Sequence, residues 1–284
     1  MKKAILLLLA LLSGFVNAQT KENSLLWKIS GNGLTKPSYL FGTIHITCDA
    51  SLSDKVKKAM DNTEQLCLEL DMDDPNMQTE MVTKMMMKDG VTMKSLVSAE
   101  DFKMVDDFLK TQLGYSAEML NTFKPFMISA MLYPKMLGCE VQSVESELMK
   151  ISKAQNEEVI GLETIAEQMN VFDAISYQDQ MEELVKTAKS NLKRDTEEMN
   201  DMLALYKTEN IEAMFEFTKK SENVMTSKYT DVMLNNRNQN WISRMDKIAK
   251  AKSTFFGVGA AHLGGEQGVI VLLRKAGFKV EAVK

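Results

Sequence analysis

Histidine, proline and long apolar runs are scarce in this chain of 284 residues, and each shortage excludes something. Two histidines and an aromatic content of 7% argue against a haem protein. With four prolines and 14 glycines, long stretches are free to form helices. Beyond the first 18 residues no segment is apolar enough to cross a bilayer, and no tandem repeat or low-complexity linker is visible.

Positive charge is also in short supply. The 34 Lys and Arg are outnumbered by 39 Asp and Glu, which gives a net charge of −5 at pH 7. An acidic surface is repelled by phosphate backbones and anionic lipids. We therefore expect no nucleic-acid partner and, after removal of the leader described next, no stable membrane insertion.

Residues 1–18 have the pattern of a cleavable secretory signal. Two lysines precede the apolar run Ala4–Phe15, whose 12 residues fall short of the roughly 20 that span a bilayer. Compact residues then predict a cut after Ala18, with an uncleaved membrane anchor as the alternative. The mature chain, 19–284, is predicted to be a single domain in the periplasm or the secreted fraction.

The chain has three cysteines, an odd number, so an exported form can hold one disulfide and one free thiol. Cys67 lies inside the apolar run Gln65–Leu70 and is predicted to be a small buried side chain. The sequence does not choose the pair by itself, and Cys48 with Cys139 is the favoured pairing.

The two ends of the chain have the patterns of strands, and the middle has the pattern of helices. Strands are predicted at Leu25–Ser30, Ser38–His45, Gln65–Leu70, Glu158–Leu162, Thr254–Gly259 and Phe278–Val283. Apolar residues at three- and four-residue spacing predict helical insertions at about 76–137 and 165–251. The fold class is therefore predicted to be α/β, with a central mixed β-sheet built from both chain ends.

Both histidines close the same four-residue pattern after a strand-like run. His45 ends Gly-Thr-Ile-His and His262 ends Gly-Ala-Ala-His. Histidine is the commonest metal ligand and the usual proton shuttle near neutral pH. Because each lies at the end of a predicted strand of one sheet, we expect the two imidazoles to meet in one site, although 217 positions separate them.

Carboxylates are needed to complete such a site, and three are candidates. Glu69 lies inside an apolar run, where a carboxylate is costly unless it is paired or coordinated; the alternative is an outward-facing residue at a sheet edge. Glu163 follows another strand, with the alternative that it only favours the N-terminus of the next helix. Glu145 is the third candidate.

Arg237 and Asn238 lie late in the second helical insertion. An arginine there can stabilise charge that develops on a carbonyl oxygen, and an asparagine can orient a ligand. Taken alone, the two would be ordinary solvated positions on a helix.

Four short motifs occur in order along the chain: Leu26–Ile29 with Pro37–His45, Gly161–Thr164, Arg237-Asn238 with Trp241, and Phe256–Gly265. Together they resemble the TraB/GumN family, which includes the animal Tiki proteins, over about Leu26 to Val283. The resemblance implies a mixed α/β sheet shared with erythromycin esterase-like (EreA) and ChaN-like proteins. It also implies that His45 and His262 are the paired G-x-x-H histidines, with Glu69, Glu163, Arg237 and Asn238 at the accompanying acidic and polar positions.

For Tiki proteins the resemblance implies a protease that depends on manganese or cobalt. We therefore expect an exported divalent-metal-dependent hydrolase, a peptidase that uses metal-activated water on a peptide or protein substrate. The metal, with zinc as a further alternative, would be held by His45, His262 and Glu69. Glu163 or Glu69 would take the proton of the water, and Arg237 would steady the oxyanion.

Two other functions stay open. The chain can be a non-catalytic binding protein for a peptide, a metal or haem, the last suggested only by the ChaN-like relationship. It can also be a metal-free hydrolase, in which a His–Glu pair supplies acid–base catalysis or Cys48 is the nucleophile.

Overall fold

The computed structural model describes residues 22–284. The predicted signal sequence at 1–18 and its cut after Ala18 lie outside the described residues. Within residues 22–284, none of the helices combines the length and the apolar character that a bilayer crossing needs.

Six strands form one mixed sheet. They are β1 (Leu26–Gly31), β2 (Ser38–Thr43), β3 (Gln65–Leu68), β4 (Glu158–Gly161), β5 (Phe255–Gly259) and β6 (Phe278–Ala282). The spatial order is β4-β3-β5-β2-β1-β6. The first four in this order are parallel neighbours, whereas β1 is antiparallel to β2 and β6. The predicted α/β fold with a mixed sheet from both chain ends is confirmed, and all six predicted strands are present.

The central strands are apolar because the sheet is buried around them. Every residue of β3 is buried, and so are the first four of β5, which is the pattern of parallel strands covered on both faces. β6, at the edge, alternates buried and exposed residues instead. Two predicted strands end early, because β2 stops at Thr43 and β3 at Leu68, so that His45 and Glu69 leave the ladder.

Helices fill the connections between the strands. They are α1 (Asp54–Met60), α2 (Met77–Lys84), α3 (Met93–Leu96), α4 (Ala99–Leu113), α5 (Pro125–Leu137), α6 (Val144–Ala154), α7 (Ile165–Ala174), α8 (Tyr177–Ser190), α9 (Lys193–Lys207), α10 (Ile211–Lys220), α11 (Val224–Ser227), α12 (Asn236–Ala251) and α13 (Val269–Lys275). A π-helix, Asp231–Asn235, leads into α12, and a 3₁₀ turn, Ala260–His262, follows β5. Helices α2–α5 and α7–α12 occupy the stretches where the sequence predicts helical insertions.

Two hydrophobic cores support the site. The first surrounds the sheet and includes the fully buried Leu40 and Phe255, together with Trp241 of α12. The second lies among the inserted helices α4, α5 and α8 and includes Leu109 and Leu184. Each such side chain contributes about 1.5–3 kcal/mol when it is taken out of water, so α12 is anchored to the sheet by a large apolar contact.

Candidate active site

Polar side chains follow the carboxyl ends of four neighbouring parallel strands. His45 lies two residues after β2, Glu69 directly after β3, Glu163 two residues after β4, and His262 three residues after β5. The carboxyl ends of parallel strands meet at one edge of a sheet, which is where α/β proteins bind ligands. The strand order therefore brings together residues that are far apart in sequence.

Gly259, the last residue of β5, lies at the centre of this group. A Cβ placed on it would be 3.3 Å from Oε1 of Glu69, 3.6 Å from Cδ2 of His262 and 3.9 Å from Nε2 of His45. Its N–H donates to Oε1 of Glu69 at 2.8 Å. The two imidazoles and one carboxylate thus converge on a backbone that has no side chain to keep a ligand away.

His262 is buried, and its ring orientation is fixed from behind. Asn238 donates through Nδ2 to the carbonyls of His262 and Gln267, at 3.3 and 2.8 Å. Oδ1 of Asn238 is therefore the acceptor that lies 2.5 Å from Nδ1 of His262, which assigns the ring proton to Nδ1. Burial, aided by the charge of Arg237 and opposed by Glu69, lowers the pKa of His262 to about 3. The ring is neutral, with its lone pair on Nε2.

His45 lies at the exposed rim, with 65% of its side chain accessible. Its Nδ1 is 2.7 Å from Oε1 of Glu145, and Ser143 donates to Oε2 of the same carboxylate at 2.8 Å. Partial dehydration of the ring lowers the pKa of His45, but the hydrogen bond and charge of Glu145 outweigh it and raise this pKa to about 9. Nε2 is the nitrogen that faces Gly259.

Arg237 holds the buried carboxylates together. Its NH2 donates to Glu69 Oε2 at 2.5 Å and to Glu163 Oε1 at 2.6 Å, and its side chain is 11% exposed. Its NH1 lies 3.1 Å from Nε2 of His262. Burial alone would raise the pKa of Glu69, but the charge of Arg237, with that of His45 and the hydrogen bond from the N–H of Gly259, holds it well below its usual range. Glu69 is therefore ionised at neutral pH.

Glu163 accepts more hydrogen bonds than Glu69 does. Besides Nε and NH2 of Arg237, it accepts from Nε1 of Trp241 at 3.2 Å and from Nε2 of Gln168 at 3.1 Å. Gln168 also reaches Oε2 of Glu69 at 3.3 Å. Because both oxygens of Glu163 are already paired, its evident work is to fix the guanidinium of Arg237.

The local structure of α12 explains how Arg237 and Trp241 reach the site. Arg237 and Trp241 are four residues apart and therefore lie on one face of the helix. The guanidinium carbon lies 4.8 Å from the ring centre of Trp241, and that ring is 4.5 Å from the ring of His262. The helix follows the π-helical turn Asp231–Asn235, a distortion that is common next to functional sites. NH1 of Arg237 donates to the carbonyl of Met233 within that turn.

The donor atoms fit a divalent ion in kind. They comprise one carboxylate and two imidazole Nε2 atoms, and each imidazole Nδ1 is held by an oxygen acceptor, as is usual for histidines that bind metals. Across residues 22–284, however, no group of three or more His, Cys, Asp or Glu side chains is arranged to hold a metal ion. Arg237 lies against Glu69, Glu163 and His262, so these groups meet a positive charge of the protein itself.

The cysteines settle one alternative. Cys48 and Cys139 form a disulfide with 5.8 Å between their Cα atoms, so the favoured pairing is confirmed. The hypothesis that Cys48 is a nucleophile is wrong, because its sulfur is bonded to that of Cys139. Cys67 is a buried free thiol, as predicted, and burial raises its pKa far above the usual range.

These features define a mixed α/β protein with paired G-x-x-H histidines at the carboxyl edge of its sheet. A model of the TraB/PrgY/gumN family matches residues 25–282, and the chain belongs to this family. Metalloprotease TIKI2 of Danio rerio is 20% identical over 323 residues, an alignment that covers 93% of this chain and 62% of that protein. The chain thus spans less than two thirds of that relative's length. No solved structure matches the chain.

Proposed function

We propose that this protein is an exported hydrolase that cleaves peptide bonds with the help of a divalent ion. Family membership and the similarity to Metalloprotease TIKI2 support hydrolysis. The observation that carries the proposal is the convergence of His45, His262 and Glu69 on the bare backbone of Gly259. Each histidine has its Nδ1 fixed by a hydrogen bond, which turns Nε2 toward the site, where Nε2 of His262 also lies 3.1 Å from NH1 of Arg237.

The ion would be held by Nε2 of His45, Nε2 of His262 and a carboxylate oxygen of Glu69. Manganese or cobalt is proposed from the family resemblance, with zinc as the alternative. Bound there, a divalent ion would supply Lewis-acid chemistry, which would polarise a carbonyl and lower the pKa of a water. Proton transfer and charge stabilisation are assigned to side chains of this protein.

Glu69 is the better of the two carboxylates proposed to take a proton. It is ionised at neutral pH, and its Oε1 faces Gly259 with the N–H of that residue as its donor. Glu163 accepts from both Nε and NH2 of Arg237, and no atom of it is among the three nearest to the Cβ position of Gly259. We therefore assign proton transfer to Glu69 and the placement of Arg237 to Glu163.

Arg237 supplies a fixed positive charge at the same centre. Its guanidinium is held by Glu163 and packed on Trp241, so little reorganisation is needed when negative charge develops on a carbonyl oxygen. Asn238 keeps the ring of His262 in the tautomer that leaves Nε2 unprotonated. The four catalytic residues predicted from sequence thus receive distinct roles.

The substrate is proposed to be a peptide or protein, because the relative is a metalloprotease and because His45 lies at an open rim. The predicted signal sequence and the Cys48–Cys139 disulfide favour an oxidising compartment, the periplasm or the medium outside the cell. The acidic net charge argues against a nucleic-acid partner.

A peptide-library assay tests the proposal. Mature protein without a histidine tag is stripped with a chelator, reloaded with manganese, cobalt or zinc, and compared with His45→Ala, His262→Ala and the surface control Gln239→Ala. We expect turnover in the wild type and the control and at least a hundredfold loss in both histidine variants. Equal turnover in all four proteins would rule the site out. Ion binding without turnover would instead identify a binding protein.

A further inference from the structure

Two loops next to the site are joined at several points. The loop after β2 carries Cys48, and the loop before α6 carries Cys139, its disulfide partner 91 residues away. Between them, Thr47 and Gln142 exchange two backbone hydrogen bonds of 3.0 and 2.9 Å. The side chain of Gln142 also accepts from the N–H of Ala50 at 3.0 Å. This set of contacts, from the disulfide to the Thr47–Gln142 bridge, is called the clamp below.

The clamp continues directly into the His45–Glu145 pair. The N–H of Val144 donates to the carbonyl of Ile44 at 3.4 Å, and the next residue on each side brings Nδ1 of His45 to 2.7 Å from Glu145. Glu145 is itself anchored, because it is 4% exposed and accepts from Ser143.

The two histidines are held by different means. His262 is 3% exposed, packs on Trp241 and is bonded to Asn238, so the protein core fixes it. The side chain of His45 is 65% exposed, so packing gives it little support. Its position depends on the backbone of its loop and on Glu145.

We propose that the Cys48–Cys139 disulfide and Glu145 act together as positioning groups, which keep Nε2 of His45 opposite His262 only while the disulfide is closed. Once the disulfide is opened, the loop after β2 is held to the segment before α6 by hydrogen bonds to Gln142, which is exposed, so that water competes for its side of each bond although Thr47 and Ala50 are buried. His45 then samples positions away from Gly259. The consequence for ion binding rests on the proposed function, whereas the placement of His45 does not.

The scarcity of histidine gives a direct measurement of the placement. A chain with two histidines gives two imidazole spin systems in a ¹⁵N NMR spectrum, provided that the purification tag contains none. The oxidised, metal-free wild type is compared with the same protein after reduction of its disulfide by dithiothreitol. The reagent supplies the two electrons and is itself oxidised to a cyclic disulfide. Iodoacetamide then caps both thiols, and mass spectrometry confirms two added groups, since Cys67 is buried.

We expect the His45 signals to move toward those of a free imidazole and the His262 signals to keep their positions. Cys48→Ser/Cys139→Ser should give the same result, and the capped wild type replaces this variant if it does not fold. Unchanged His45 signals in the opened protein would overturn the proposal, whatever happens to its thermal stability.

Titration with Mn²⁺ adds a second readout. Opening the disulfide should weaken binding at least tenfold, as should Glu145→Ala. Glu145→Gln keeps an acceptor oxygen and should restore most of the affinity. Glu147→Gln, on the same helix, should bind as the wild type does. If the oxidised wild type binds no Mn²⁺, Co²⁺ or Zn²⁺, the proposed metal dependence fails and the NMR result alone decides on the clamp. If opened and closed proteins bind equally well, the clamp is overturned and the metal dependence stands.

Discussion

His262 is bonded through Nδ1 to the side-chain oxygen of Asn238, at 2.5 Å, and this contact decides which ring nitrogen faces the site. The amide of Asn238 has no freedom to turn around, because its nitrogen donates to two carbonyl groups. Arg237, the preceding residue, faces the other ring nitrogen at 3.1 Å. Adjacent residues of one helix therefore set the tautomer of the imidazole and the charge beside it.

Replacing Asn238 with leucine should remove the hydrogen bond that orients the ring of His262. The side chain keeps a similar volume but loses its hydrogen bonds, and the unpaired buried groups should cost about 2–3 kcal/mol of unfolding free energy. Ion affinity, measured by calorimetry, should fall by about 10- to 100-fold, as is typical when the partner of a ligating histidine is removed. Gln239→Ala changes the next, exposed residue and should leave both quantities unchanged. An Asn238→Leu protein with wild-type affinity would show that the ring needs no such support.

Arg237→Gln tests the role of the internal cation. The change leaves Glu69 and Glu163 as buried, uncompensated charges, so we expect a loss of about 3–5 kcal/mol of unfolding free energy without added ions. Because a divalent ion can then neutralise the same carboxylates, Mn²⁺ should raise the melting temperature of the variant more than that of the wild type.

Arg244→Gln is the matched control for that experiment. It lies on the same helix and pairs with Glu167, but its side chain is 37% exposed, so its loss should cost less than about 1 kcal/mol. Its melting temperature should respond to Mn²⁺ as the wild type does. Equal stabilisation of all three proteins by Mn²⁺ would show that the ion does not take over the carboxylates that Arg237 neutralises.

Much of the fold could be predicted because the buried parallel strands are continuous apolar runs. The residues at which the strands end are harder to predict, for a physical reason. In the run that forms β3, Leu70 is apolar although the strand stops at Leu68, because Leu70 packs against Ile165 and Met169 in a small separate cluster. An apolar pattern reports burial, and burial continues past the point where ladder hydrogen bonds stop.

The site could be predicted only in part. The shared G-x-x-H pattern pointed to His45 and His262, and strand ends pointed to Glu69 and Glu163. The ion pairs of Arg237 with Glu69 and Glu163 could not be predicted, since an arginine in a polar helix has the pattern of a solvated residue. Gln168 also escaped notice, because it meets Glu69 across 99 positions and belongs to no motif. Its contacts exist only after α7 has packed beside the sheet.

The two histidines should titrate far apart in metal-free protein. His45 has a raised pKa of about 9, so the stability it contributes is present below pH 6.5 and is lost as the pH rises through 9. His262 has a lowered pKa of about 3, so folding favours its neutral ring, and that stability is lost as the pH falls below 6.5. NMR titration of the two imidazoles should show His45 charged and His262 neutral at pH 7. Coincident titration near 6.5 would contradict both environments.

Two glycines of β5 separate an effect on the site from an effect on the fold. In Gly259→Ala the new methyl group would lie 3.3 Å from Glu69 Oε1 and 3.9 Å from His45 Nε2, in the space that a ligand needs. We expect a melting temperature close to that of the wild type, since polar side chain ends can shift, but at least a tenfold loss of ion affinity and activity.

Gly257→Ala should do the reverse. Its methyl group would lie 2.8 Å from Cδ2 of Leu68 and 3.2 Å from Cδ1 of Leu148, inside the packed core. Overpacking of this kind costs about 1–3 kcal/mol, so the melting temperature should fall. Ion affinity measured well below that temperature should stay near the wild-type value, because residue 257 does not face the histidines. Calorimetry and thermal unfolding of both variants check the pair. If Gly259→Ala retained full affinity, the ligand would have to lie elsewhere, and the assignment of this strand end as the active centre would fail.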